Sequence, residues 1–138
     1  TLCCYLLEVP AMTKKAGVLC LACILNKGCR IYQSRPQECR DFRCAYHQMD
    51  KVSLDLRPDR CKMIFEKITD RIFLGTQDPR FPMTIVAQKQ ILAFNRQGFS
   101  VIVSGLNQKL DTYLAPRHTE DSIQHEFRLY IESKYGRT

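Results

Sequence analysis

The chain has 138 residues, enough for one hydrophobic core, and is 45% apolar and 25% charged, which excludes disordered and fibrous classes. No apolar run approaches the ~18 residues of a membrane span, and residues 1–10 have no basic region leading into a long apolar stretch, so neither a span nor a signal peptide is expected. The net charge of +7 is scattered along the chain, so a nucleic-acid face is a secondary reading. Arg30, Arg35, Arg40 and Arg43 lie among cysteines, where cations balance thiolates.

Residues 1–28 show little periodicity. Leu6, Leu7 and Val9 form an apolar run ended by Pro10, and Lys14, Lys15 and Gly17 read as a loop. Such a stretch has no core of its own and is expected to be ordered by what its cysteines bind. Ser34 and Gln37 have capping-box spacing with Pro36 in the first turn, which predicts a helix starting near Arg35 and carrying Cys39. Cys44, five residues on, lies about 140° around an ideal helix from Cys39. Either the helix ends between them or the two serve different sites.

Val52, Leu54 and Leu56 alternate with polar residues and predict a strand before the break at Arg57-Pro58-Asp59. Cys61 to Phe65 and Arg71 to Leu74 predict two more short strands. Asp78-Pro79 and Phe81-Pro82 then break the chain. Met83 to Gln97 predicts a helix with Val86, Ala87, Ile91 and Phe94 as its apolar stripe and Gly98 as its stop. Phe99 to Val103 is the clearest strand. Thr119 to Tyr135 predicts a last helix with Ile123, Phe127, Tyr130 and Ile131 on one face and Gly136 after it. The expected fold is α+β in a single domain, residues 1–138. Residues 1–48 form an irregular cysteine-rich metal-binding lobe, packed on residues 49–138, a small antiparallel or mixed sheet with two or three helices.

Cysteine placement carries the functional reading. Seven of the eight cysteines lie between positions 3 and 44: Cys3, Cys4, Cys20, Cys23, Cys29, Cys39 and Cys44. A disulfide framework tends to spread its cysteines over the domain, whereas a metal site gathers them, because its sulfurs converge on one point at ~2.3 Å. Cys20 and Cys23 form a C-x-x-C pair, a spacing that aims two sulfurs into one turn and that redox dithiols share. Thiolates are soft ligands and select zinc or iron–sulfur centres over magnesium or calcium. Four suffice for either, and seven would serve a binuclear site or one site with spare redox thiols. The order of expectation is Cys20, Cys23, Cys29 and Cys39, then Cys44 and Cys4, then Cys3. Cys61 reads as a buried small hydrophobe.

The segment Cys3-Cys4-Tyr-Leu-Leu-Glu-Val-Pro, then Gly17 and Cys20-x-x-Cys23, then Gly28-Cys29-x-Ile31-Tyr32-x-x-Arg35-Pro36-x-x-Cys39-Arg40-x-Phe42-x-Cys44, resembles the bacterial cysteine-cluster proteins of the YkgJ type. These are described as zinc- or iron-chelating proteins or as iron–sulfur oxidoreductases. Leu56 to Arg60 and Val101 to Val103 look like that family too, though the specific motifs lie in the first third. The family pattern opens C-x-x-C-C, and Cys3-Cys4 match its last two positions, which puts its first cysteine one position before Thr1. The resemblance implies metal binding more firmly than any reaction.

Arg35 and Arg40 have two readings: donors to sulfur or to an anionic partner, or helix-surface partners of Glu38 and Asp41. Tyr32 and Phe42 are expected to pack over the site. His47 is a secondary ligand candidate, and His118 and His125 are expected on exposed polar segments. No phosphate-binding glycine loop or nucleophile elbow occurs. The expected function is a cytoplasmic metal-binding protein holding zinc or an iron–sulfur centre. The alternatives are a redox enzyme or electron carrier using an iron–sulfur cluster, and a zinc-stabilised basic nucleic-acid-associated protein. A metal ion is the expected partner, and no membrane partner is expected.

Overall fold

The computed structural model describes residues 2–105, 107 and 109–136. Thr1, where the expected lobe begins, lies outside the described residues. The elements run α1 (Leu2–Leu6), β1 (Cys23–Ile24), β2 (Gly28–Cys29), α2 (Gln37–Asp41), α3 (Ala45–Gln48), α4 (Pro58–Cys61), β3 (Met63–Lys67), β4 (Ile72–Gln77), α5 (Ile85–Arg96), β5 (Ser100–Ser104), β6 (Leu110–Tyr113) and α6 (Glu120–Tyr135). The main sheet has strand order β3-β4-β5-β6 and is mixed. β4 and β5 are parallel, with Ile72 opposite Ser100 and Gly75 opposite Val103, while β3 and β6 run antiparallel to their neighbours. Parallel neighbours need a crossover, and α5 supplies it.

Side-chain alternation divides the core between two faces. Met63, Phe65, Phe73, Val101 and Val103 pack on Ala87, Ile91 and Phe94 of α5. Ile72 and Ile102 pack on Ile123 and Phe127 of α6. At the β3 end of the sheet, Ile64 meets Leu2, Leu6 and Cys44. Ala45 of α3 joins the α5 side while the preceding Cys44 joins the cluster with α1, so the N-terminal segment straddles the free edge of β3. Both long helices start on a threonine cap: Thr84 Oγ1 accepts from the Ala87 amide and Thr119 Oγ1 from the Ser122 amide. They stop where Gly98 and Gly136 take φ of +92° and +80°.

The α+β class and the mixed sheet agree with expectation, and several finer expectations do not. Residues 49–138 hold three α-helices, α4, α5 and α6, as expected, while residues 1–48, expected to be irregular, hold three more of four or five residues each among the described residues. The segment before Gly28 has no core of its own but is anchored by Leu2 and Leu6, one helical turn apart, which are buried against Ile64 of β3 and Cys44. The helix carrying Cys39 starts at Gln37 with Pro36 as its cap, and Ser34 does not cap it. Proline holds the residue before it extended, and Arg35 has ψ of 150°, so no helix begins there. It ends at Asp41, between Cys39 and Cys44. Leu54–Leu56 is a 3-10 turn capped by Ser53 rather than a strand. His118 is half-buried rather than exposed. Its Nδ1 lies 2.8 Å from Ser100 Oγ, and Arg71, ion-paired to Glu126 at 3.0 Å, donates to its Nε2.

Asp78 is fully buried at the end of β4, and its carboxylate accepts from the Arg80 amide and from Arg80 Nε and Nη2 at 2.8–3.1 Å. That guanidinium holds the carboxyl below the usual carboxylate range. A depressed native pKa stabilises the fold above the unfolded value of about 3.9, and the contribution is lost as pH falls below it. Asp78→Asn is expected to lower stability by about 1–2 kcal/mol at pH 7, a value discounted for solvent screening of the Arg80 side chain, which is 53% exposed. Denaturation midpoints of the two proteins should converge as pH drops below about 4; a gap that persists there would contradict this account.

Candidate metal centre

Five short structures bring the cysteines to one side of the N-terminal lobe. Cys3 and Cys4 lie side by side on α1. The Cys20 amide donates to the Cys4 carbonyl at 2.9 Å, fastening the C-x-x-C turn to that helix, and the Cys23 amide donates to the Cys20 carbonyl at 3.0 Å, closing the turn. Cys23 opens β1 and pairs with Cys29 at the end of β2. Asn26 and Gly28, with φ of +62° and +117°, reverse the chain between them. The Arg30 amide then bonds the Ala22 carbonyl at 2.8 Å, and its guanidinium bonds the Leu21 carbonyl. Cys39 sits on α2, and Glu38 beside it accepts from the Ala11 amide.

All eight cysteines are free thiols. Their electrostatics show which face one another. The Cys3 pKa is lowered to about 6, chiefly because the Cys4 thiol donates toward its sulfur. Cys4 is correspondingly pushed up, by that same bond first, then by burial and by the nearness of Cys3 and Cys23. Cys39 is raised, first by burial and then by Cys20, Cys3 and Cys29. Six of the seven expected ligands, Cys3, Cys4, Cys20, Cys23, Cys29 and Cys39, therefore share one neighbourhood.

Cys44 is placed elsewhere, buried against Leu2, Leu6 and Ile64. The thiol that feels its charge is Cys61, itself buried, raised by that burial, and donating to the Met63 carbonyl at 3.1 Å. His47 is exposed, edge-on to Tyr46. Neither Arg35 nor Arg40 pairs with Glu38 or Asp41 among the described residues. Arg35 lies over the Tyr32 ring at 3.9 Å and bonds the Tyr32 carbonyl, and Arg40 bonds the carbonyls of Arg35 and Gln33. They staple the turn that leads into α2. Tyr32 is exposed, and Phe42 packs beside the Leu2, Leu6 and Cys44 cluster.

The residue that sequence reasoning missed is Lys14, taken as a loop residue and in fact only 7% exposed. Val9 and Lys14 pair through both backbone bonds across the turn Pro10–Met12, and this points the lysine inward. Its ammonium donates to the carbonyls of Tyr5 and Lys15, both at 3.1 Å, and of Leu7. Burial lowers its pKa, and Cys20, Cys4, Cys3 and Cys39 oppose that. Sequence offers one faint signal, a Lys-Lys pair of which a tight hairpin exposes one and buries the other.

The donor set is soft and all sulfur, a chemistry that fits zinc or iron–sulfur iron and not magnesium or calcium. Among the described residues no three His, Cys, Asp or Glu side chains are already arranged to close on one ion, and no helix is long and apolar enough to cross a membrane. Comparison with protein families, with curated proteins and with solved structures finds no match for this chain.

Proposed function

We propose that this chain is a metal-binding protein of the cytoplasm whose N-terminal lobe holds zinc or an iron–sulfur centre through cysteine thiolates. One observation supports the reading: six free thiols from five separate short structures share one neighbourhood, and four of them, Cys3, Cys4, Cys20 and Cys39, lie near a buried lysine. A hydrophobic core has no use for such a gathering, and small buried thiols that serve packing look instead like Cys61 and Cys44, dispersed among apolar side chains. Cys20, Cys23, Cys29 and Cys39 are the first candidates to hold the ion, with Cys3 and Cys4 beside them. When bound, zinc would supply a structural crosslink, and an iron–sulfur cluster would supply one-electron chemistry.

Anaerobic purification followed by metal analysis and a visible spectrum tests the reading. A colourless protein with stoichiometric zinc supports a structural centre, and a brown protein absorbing near ~400 nm supports an iron–sulfur one. A chelator should then release the metal and loosen the N-terminal lobe, seen as faster amide exchange in residues 2–44, while α5 and α6 keep their protection. Metal-free protein after anaerobic handling, unable to take up zinc or iron with sulfide, would remove the proposal.

A further inference from the structure

Among the described residues two fully charged side chains are buried, Asp78 and Lys14. Asp78 has its cation in Arg80. Lys14 has no carboxylate within ion-pair distance among the described residues. Its three ammonium protons are matched by three backbone carbonyls, of Tyr5, Leu7 and Lys15. Those bonds satisfy the donors and leave the charge uncancelled, and a buried charge is costly unless paired. A neutral amide would avoid that cost and still serve two of the three carbonyls. Two of those carbonyls, of Tyr5 and Leu7, belong to the end of α1 just past Cys3 and Cys4, and the Cys20 amide bonds the Cys4 carbonyl, so the lysine is anchored on the segment that carries these thiols, and Cys20, Cys4, Cys3 and Cys39 favour its charge against burial.

We infer that Lys14 is the fixed counter-charge of an all-thiolate, net-anionic metal centre formed by these cysteines. The inference rests on the metal-binding reading above and adds the class of centre. Four thiolates around zinc, or around a four-iron cluster, leave excess negative charge, and the carbonyl cage holds a positive charge where that excess gathers. A site diluted with neutral histidine would leave less to balance, and His47 stands exposed on α3. The Lys14 ammonium is held by three backbone carbonyls and is not offered as a ligand. It is a positioning residue that acts through charge.

The test titrates zinc(II) into reduced, metal-free full-length chain against a competing chelator, for the wild type, Lys14→Gln, Lys14→Arg and Lys27→Gln. Glutamine keeps donors for the carbonyls and drops the charge, arginine restores the charge, and Lys27 is an exposed lysine of the same lobe. Lys14→Gln is expected to weaken zinc binding roughly 10–100-fold, Lys14→Arg to recover most of that, and Lys27→Gln to match the wild type. Equal affinity in Lys14→Gln and wild type overturns the inference and leaves metal binding intact. Equal weakening in Lys14→Gln and Lys14→Arg also overturns it, since loop shape rather than charge would then be the cause. Should Lys14→Gln not fold, the comparison passes to Lys14→Met against Lys14→Arg, where weakening in Lys14→Met that Lys14→Arg does not share supports the inference, and unchanged affinity in Lys14→Met or equal weakening in both overturns it. A wild type that takes up no metal ends both the inference and the reading beneath it.

Discussion

Serine at Cys20 or Cys39 is expected to strip most of the metal from the purified chain, whereas serine at Cys61 leaves the metal content unchanged. The two groups differ in surroundings and not in residue type. Cys20 and Cys39 lie half-exposed beside other thiols and Lys14. Cys61 lies in the core between Ala87 and Met63, its thiol bonded to the Leu56 and Met63 carbonyls. Losing one of four thiolates removes a bond to the ion and leaves the remaining ligands short of a closed site. Apparent binding energies of structural zinc sites are about 10–16 kcal/mol, so even a partial loss is large against the ~5–15 kcal/mol that holds a domain folded. The Cys20→Ser and Cys39→Ser proteins should also lose chelator-sensitive protection in residues 2–44, while Cys61→Ser should show a modest fall in global stability, because serine is smaller in a packed site. Metal content measured on proteins purified side by side decides the matter. Full metal in Cys20→Ser and Cys39→Ser alike would show that the thiols gather for another reason.

The largest effect expected away from the cysteines is at Phe94. Its ring is 1% exposed. It stacks on Phe73 with centroids 3.9 Å apart and planes 8° from parallel, and meets Phe65 edge-on at 5.5 Å. It fastens α5 to two neighbouring strands at once. Phe94→Ala removes those contacts and leaves a cavity that neighbouring rings, each fixed by its own strand, fill only in part. The expected cost is about 3–5 kcal/mol. Leu92, two residues earlier and 54% exposed, is the control, and Leu92→Ala should stay within about 0.5 kcal/mol of wild type. Urea denaturation reads both, with an unchanged slope showing that the unfolded state is unaltered. A loss below about 1 kcal/mol at Phe94 would mean that the aromatic cluster is not the tie between helix and sheet.

Most of the sheet and both long helices were legible because their signals are local. The stripe of Ala87, Ile91 and Phe94 runs from the Thr84 cap to the turn at Gly98, and Val101 to Val103 is the unbroken apolar run of a strand covered on both faces. The errors came where a local signal had a non-local competitor. Val52, Leu54 and Leu56 alternate as a strand does, yet a strand needs a neighbour. The β3 edge where one might pair is flanked by α1 and α3, and Leu54 is left facing solvent. β6 was missed because Leu110 to Tyr113 is an edge strand too polar to show a pattern. The Leu2–Leu6 spacing was readable in principle, but the two intervening cysteines drew the argument toward ligands. The buried lysine near Cys3, Cys4, Cys20 and Cys39 was not anticipated, because burial of a charge depends on the whole hairpin that carries it.

The placement of the N-terminal segment on β3 also governs the solubility of the chain. The sheet has two open edges of unlike character. β6 ends it with exposed Lys109 and Asp111 close by, charges that discourage another strand from adding on. β3 ends it with Met63, Ile64 and Phe65, three consecutive buried apolar residues, an edge of the kind that templates cross-β pairing between molecules. The cysteine lobe is the cover over that edge. Loosening of that lobe is therefore expected to bare Met63, Ile64 and Phe65 to neighbouring molecules and to favour self-association.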